Sequence, residues 1–432
     1  MRGKLNIFQK TMLQWNDLHP YNAVHVVRIP HALDLERLGN VINGALETHG
    51  ITNLALNRDW GTYHYHGGAA LCAIKTVAVE ESSRLSLAAE IEQQLNTAFT
   101  QSERFNPFRF FVAPESDSFF LGLVYFHAVA DGESVVRLLK NIVDTYILRK
   151  ESKFFQPLEL YPPRYDRLVR HHPGLLLRKL ATIPTFTRNM RHSCRPRFRD
   201  AQNLHNGLSC FSLKPESLSA LIEVAKAWGV TLNDLFLGLM MKSVSPMAPG
   251  RAGAHRRKKI SCGSIVNIRK DLGLDNQRSF GLFLGSFIVT HAVPNEIGMM
   301  DLARDIRRQT LRVKQDGLYL GTPLELAFGR FMLSLFSTER RKKFYQKHYP
   351  LWGGITNMNL NSIWEQPQGE RPIDYFRAVS TGPATPLVLS VTTVRDVVNI
   401  GLTYRSTVFS VAEIEQVKSY FLDWEKHLKG QV

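Results

Sequence analysis

The residues of clearest chemical potential lie in Phe126-His127-Ala128-Val129-Ala130-Asp131-Gly132, an HxxxDG. A neutral imidazole takes a proton from a hydroxyl or amine near neutral pH, so His127 reads as a general base. Asp131 either orients the ring or fixes the loop by pairing with an arginine elsewhere. Gly132 permits close backbone approach or an unusual dihedral before a helix. The competing reading is a structural histidine beside an N-capping aspartate. Other histidines offer less. His64 and His66 alternate with tyrosines without a third metal ligand, and His171-His172 has no acidic neighbour.

The motif needs a rigid frame, and its flanks supply one. Phe119 to Phe126 (FFLGLVYF) is apolar on both alternating faces, as suits a strand covered on both sides. Residues Glu133 to Leu148 form an amphipathic helix with Val135, Val136, Leu139, Ile142, Val143, Tyr146 and Ile147 on one face. Catalytic groups are commonly held on loops at such strand ends. Upstream, the pattern predicts a strand at 23–29, a helix carrying Leu38, Ile42 and Leu46, a strand near 71–79 and a helix near 85–99. Downstream, it predicts a strand at 208–213 and a helix at 216–228. Thr231 and Asp234, at capping-box spacing, open another helix. Strands near 260–268 and 284–290 and a helix near 299–313 follow. Strands at 387–394 and 397–404 then form a hairpin turning at Arg395–Asp396, and Ser410 and Glu413 cap a last helix.

At about 150 residues per domain, 432 residues suggest two or three units or one large α/β body. The four cysteines (Cys72, Cys194, Cys210, Cys262) form no CxxC pair and no zinc-type spacing. No disulfide framework and no metal site is expected, and the thiols suit a cytoplasmic protein. The N-terminal residues lack a signal-peptide core, and no apolar run approaches membrane-spanning length. The formal charge of +16 calls for an anionic partner or reflects a solvated, solubilising surface. It concentrates in Arg164 to Arg199, Arg256-Arg257-Lys258-Lys259, and Arg340-Arg341-Lys342-Lys343 through Lys347. Within the first of these, Pro173 to Met190 mixes Leu, Ile and Phe with Arg and Lys, as a membrane-surface segment does. No nucleic-acid-binding motif accompanies the charge, and no nucleic acid is expected.

An internal echo is visible. Strand, Pro30, helix and His49-Gly50-Ile51-Thr52 are matched by strand, Pro215, helix and Trp228-Gly229-Val230-Thr231. The chain therefore divides into residues 1–160, carrying HxxxDG, a basic proline-containing connection at 161–207 with one or two short helices around 175–180, and residues 208–432. Two similar α/β halves make a cleft between them a natural site.

The HxxxDG after a buried strand resembles the signature of the chloramphenicol acetyltransferase-like superfamily, which includes condensation domains, BAHD acyltransferases and wax ester synthases. The resemblance runs along most of the chain. Tyr21-Asn22 with LDLERLGNVINGALETHG resembles the family opening, and FNPFRFFV the segment before the motif. GVTLNDLFLG resembles a helix of the second half, SIVNIRKDLG the strand ending in an arginine, and ITNMNL a late strand. The resemblance implies an α/β fold of two similar halves, each a mixed sheet with flanking helices, and an active-site tunnel between them. It implies His127 as base and Asp131 as a structural residue paired to an arginine, with Arg269 as the best candidate. Where condensation domains carry a double histidine this chain has Phe126, and the BAHD DFGWG is absent.

The implied activity is transfer of an acyl group from a thioester to a hydroxyl or amine, ester formation being favoured. The oxyanion would need fixed donors. The Gly132 N–H, Asn357 and Ser390 are candidates, although residues such as Asn357 and Ser390 more often serve strand packing. No tightly bound cofactor is expected; acyl-CoA or a phosphopantetheinyl thioester serves as co-substrate. The expected partners are acyl-CoA or an acidic acyl carrier protein, and a small-molecule, lipid or glycan acceptor. Peripheral contact with the inner face of a membrane is a further option. The alternative is a non-catalytic relative that binds a carrier protein, lipid or membrane surface.

Overall fold

A computed structural model describes residues 1–77, 83–148, 159–160, 165–200, 203–248, 251, 254–274, 278–337, 344–345, 347–364 and 374–429. In chain order the elements begin with β1 (Arg2–Lys4), α1 (Ile7–Asn16), β2 (Asn22–Ile29), α2 (Leu35–Thr48), β3 (Leu54–Asn57), β4 (Thr62–Tyr65), β5 (Ile74–Thr76) and α3 (Ser83–Asn96). Next come β6 (Phe108–Pro114), β7 (Phe119–Phe126), α4 (Gly132–Leu148), β8 (Glu159–Leu160), α5 (Asp166–His171), α6 (Leu175–His192), β9 (Asn206–Leu213), α7 (Pro215–Trp228) and α8 (Leu232–Val244). The remainder are β10 (Ile260–Asn267), β11 (Ser279–Phe280), β12 (Leu284–His291), α9 (Met299–Gln315), α10 (Thr322–Ser334), β13 (Gly353–Asn359), β14 (Asp374–Val379), β15 (Leu387–Val394), β16 (Val397–Arg405) and α11 (Val411–Lys429).

The chain forms two compact units, and each draws on separated segments. The first comprises Met1–Tyr165, Arg269–Phe283 and Asn359–Ser380. Its main sheet has the order β14-β2-β7-β6-β5. All neighbours are antiparallel except β5 and β6. Strand β7 is buried along its whole length, as its doubly apolar sequence requires. Gly122 is there because the Phe111 ring of β6 lies over it: a Cβ at this position would sit 2.1 Å from Phe111 Cζ. Helix α4 buries Val135, Val136, Leu139, Ile142, Val143 and Tyr146. Residues 57–68, rich in turn formers, build part of a small sheet, β1-β4-β3.

The second unit comprises Asp166–Ile268, Leu284–Met358 and Thr381–Val432, around a sheet of order β12-β10-β13-β15-β16-β9. Thr231 accepts from the Asp234 N–H while Asp234 accepts from the Thr231 N–H, so the expected capping box opens α8. The Ser410 and Glu413 cap of α11 is also formed. The β15–β16 hairpin turns at Arg395, in a left-handed conformation.

The echo has a structural basis. Gly50 and Gly229 both take positive φ, 65° and 69°. In both, the N–H of the next residue bonds back to the helix, Ile51 to Leu46 and Val230 to Ala225. Both helices thus end in the same left-handed cap with its buried apolar contact, which glycine alone adopts without strain. After the cap the copies diverge. Thr231 caps α8, whereas Thr52 donates to the Gly68 carbonyl ahead of a strand.

Two sequence expectations need correction, and one helix lies outside them. The connection holds two helices, α5 and α6, but α6 is not confined to 175–180 and runs through Pro184 to His192. Proline removes the bond to the Leu180 carbonyl, but that residue is half exposed, so water can satisfy it. The additional helix is α1, opened by a reciprocal capping box between Asn6 and Gln9. Strand β5 is shorter than 71–79, and residues 78–79 lie outside the described residues, as do Arg164 and Arg340 to Lys343.

Candidate active site

Strand β7 ends at Phe126, and α4 begins at Gly132; His127 to Asp131 make the turn between them. The His127 N–H donates to the Tyr21 carbonyl and the Val129 N–H to the Phe126 carbonyl, which fixes that turn. Alternation sends Leu121, Leu123 and Tyr125 to one face of the sheet and Phe126 to the other. His127 continues the first set. Phe126 packs against Phe99 and Phe105 on the opposite side. The position taken by the first histidine of a double-histidine motif is thus an aromatic core position here.

Two tyrosines hold the imidazole. The Tyr21 ring stacks on it at 5.2 Å and 13°, and Tyr125 meets it edge-on at 5.6 Å and 77°. His127 Nδ1 lies 3.0 Å from the Ala130 carbonyl oxygen. A carbonyl can only accept, so Nδ1 carries the proton and Nε2 keeps its lone pair. Burial depresses the His127 pKa below 6.5, outweighing the Ala130 hydrogen bond and the Asp131 charge, which act the other way. The ring is 9% exposed and neutral at neutral pH.

Ala130, not Asp131, therefore orients the ring. Asp131 faces Arg269 in a two-pronged ion pair, Nη1 to Oδ2 at 2.9 Å and Nη2 to Oδ1 at 2.8 Å, with both residues 1% exposed. Asp131 also accepts from the Ser134 and Phe283 N–H groups, at 3.0 Å each. Burial alone would raise its pKa; the Arg269 charge and these hydrogen bonds pull it below 3.8. Arg269 further donates to Ser134 Oγ and covers the Phe283 ring at 4.2 Å. The Asp131 N–H donates to the Gly281 carbonyl. The segment Arg269–Phe283 is thereby clamped to the HxxxDG turn. Asp131 is also the N-terminal neighbour of α4, bonding the Ser134 N–H as an N-cap does.

Gly132 is the first residue of α4 and does not take a positive φ. The unusual-dihedral reading is therefore replaced by an ordinary helix start, whose first-turn N–H groups have no intrahelical acceptor. Asn357 is exposed on β13 and Ser390 is buried on β15, both in the second unit.

Sequence reading missed the groups beside the histidine. His25 of β2 lies opposite Leu123 and Arg377, so it shares the Tyr125 face. His25 Nδ1 is 2.7 Å from Tyr375 Oη and its ring meets Tyr125 edge-on. Burial, then the charges of Arg377 and His127, push the His25 pKa well below 6.5. Burial lowers Arg377 to about 10, so it stays cationic at neutral pH. The available signal was His25 itself, a polar residue within the apolar run Ala23–Val27. His64 and His66 are exposed, with ring centroids 4.0 Å apart. Among the described residues, no three His, Cys, Asp or Glu side chains are grouped to hold a metal ion.

No protein-family model matches this sequence, and no curated protein matches it. Solved structures do. The first condensation domain of the calcium-dependent antibiotic synthetase, in complex with a substrate analogue, aligns with a TM-score of 0.72 at 14% identity over 99% of this chain and 97% of that one. The EpoB NRPS cyclization-docking bidomain from Sorangium cellulosum aligns with a TM-score of 0.70 at 12% identity, over 99% of this chain and 84% of that one. The condensation domain from Monacolin K polyketide synthase gives 0.68 at 13% identity, over 99% and 98%. At such identity the likeness is one of fold. The chain has the mixed α/β fold of these condensation-domain structures.

Proposed function

We propose that this protein transfers an acyl group from a thioester to a hydroxyl or amine, with His127 as general base. The observation that carries the reading is the state of one ring: Nδ1 committed to the Ala130 carbonyl, Nε2 with its lone pair, and a pKa held below 6.5 by burial. Nε2 takes the acceptor proton as the oxygen or nitrogen attacks the thioester carbonyl. The tetrahedral oxyanion collapses, the C–S bond breaks, and Nε2 returns the proton to the leaving thiolate. The products are an ester or amide and a free thiol, and no covalent enzyme intermediate is needed.

Asp131 and Arg269 hold the turn rather than move protons. The oxyanion donors are proposed to come from the first turn of α4, beginning at the Gly132 N–H. The donor is proposed to be acyl-CoA or the phosphopantetheinyl thioester of an acidic carrier protein. Its anionic groups suit a chain of net charge +16. Ester formation is favoured over amide.

A panel of acyl-CoAs and acyl-pantetheines, each incubated with simple alcohols and amines, tests the reading. The expected result is thiol release that depends on both substrates, with a matching ester or amide by mass spectrometry. A chain that leaves every thioester of the panel intact, or merely binds one without turnover, is a non-catalytic relative instead.

A further inference from the structure

Two helices of the second unit expose large apolar side chains that its core does not use. On α10 and its C-cap, Leu324, Phe328, Phe331 and Leu335 recur at intervals of four, three and four, which is one helical stripe. Phe328, Phe331 and Leu335 are 65%, 62% and 63% exposed. On α6, Leu176, Leu180 and Ile183 follow the same spacing, and Leu177 beside them is 73% exposed. The two helices are tied together: Lys179 Nζ of α6 pairs with Glu325 of α10 at 2.5 Å and donates to the Leu318 carbonyl at 3.0 Å. Side chains of this size normally go inside, and a continuous exposed set marks an interaction surface.

The charge around the stripes selects the partner. Between residues 167 and 199 the sequence holds nine Arg or Lys and no Asp or Glu. Arg178, Arg188, Arg191 and Arg195 are exposed on or beside α6. The one acidic residue of α10, Glu325, is neutralised by Lys179. Helices that expose bulky apolar side chains and cations, with no unpaired carboxylate, suit the interface of an anionic bilayer, apolar side chains among the acyl chains and cations at the phosphates. No described helix is long and apolar enough to cross a membrane, so the contact is with its surface.

We infer that α6 and α10 form a docking surface for an anionic lipid bilayer. The inference is independent of the acyl-transfer reading. Co-sedimentation of the full chain with phosphatidylcholine vesicles, with and without phosphatidylglycerol, tests it. The chain should partition onto the anionic vesicles and bind the neutral ones far less, with binding weakened by salt. Phe328→Ser with Phe331→Ser should lower partition on the order of tenfold per aromatic lost. Arg188→Gln and Arg191→Gln should each lower it about fivefold. These positions are exposed, so an unchanged melting transition verifies folding. Absence of binding to anionic vesicles overturns the inference, as does partition unchanged in the aromatic or the arginine variant. So does capture of an acidic acyl carrier protein, lost in the Phe328/Phe331 variant, by a chain that leaves vesicles unbound.

Discussion

At the scale of single residues, the site rests on a division of labour between two neighbours in the turn. The Ala130 carbonyl sets the His127 tautomer, and Asp131 spends its oxygens on Arg269, Ser134 and Phe283. Asp131→Asn leaves a buried guanidinium without its counter-charge, and we predict a loss of about 3–5 kcal/mol in stability. Chemical denaturation measures this; a loss under about 1 kcal/mol would remove the pair from its structural role. The histidine gives a second prediction. Its folded-state pKa lies below 6.5, so the neutral base persists as pH falls past that value. The acid limb of kcat/KM should therefore fall below pH 6.5. The unfolded chain takes up the proton first, so the contribution of His127 to stability declines as pH drops from 6.5 toward the folded value. A limb above 6.5 would mean a more exposed or more ion-paired imidazole. The HxxxDG turn was legible because its residues are contiguous. The pairing with Arg269 came only through family resemblance, since nothing local in the sequence connects positions 131 and 269. The Ala130 contact was not legible at all, because a backbone carbonyl has no sequence signature.

At the scale of elements, the periodicities were most reliable where burial is complete. The doubly apolar β7 and the one-sided α4 lie where their patterns place them, because each pattern admits one buried arrangement. Gly122 in that strand shows what pattern alone omits. It leaves room for the Phe111 ring, a cross-strand partner identifiable only once the register is known. Gly122→Ala should push that ring off the strand and cost roughly 1–3 kcal/mol by overcrowding. A melting temperature unchanged in that variant would contradict the packing. Thr231→Ala removes one half of the box that opens α8 and should cost about 1 kcal/mol, read by denaturant unfolding. Helix α6 was underestimated because its interior proline reads as a stop, whereas the exposed turn around Leu180 tolerates the lost bond.

At the scale of the molecule, chain order and compact units do not coincide. The first unit takes Arg269–Phe283 and Asn359–Ser380 from the later part of the sequence. These segments bring the partner of Asp131 and the β14 edge beside β2. A fragment ending at residue 165 lacks both, and we predict that it does not unfold cooperatively; a sharp thermal transition in that fragment would contradict the assignment. Such exchanges are invisible to a reading that proceeds along the chain, whereas the repeated helix caps at Gly50 and Gly229 are local and were seen. The measurement that bears most directly on the account is thioester turnover by the intact chain carrying His127→Ala, alongside the wild type, with folding verified by circular dichroism. The expected outcome is a folded protein whose rate of thiol release falls by about a hundredfold or more. A variant that releases thiol as fast as the wild type would contradict it.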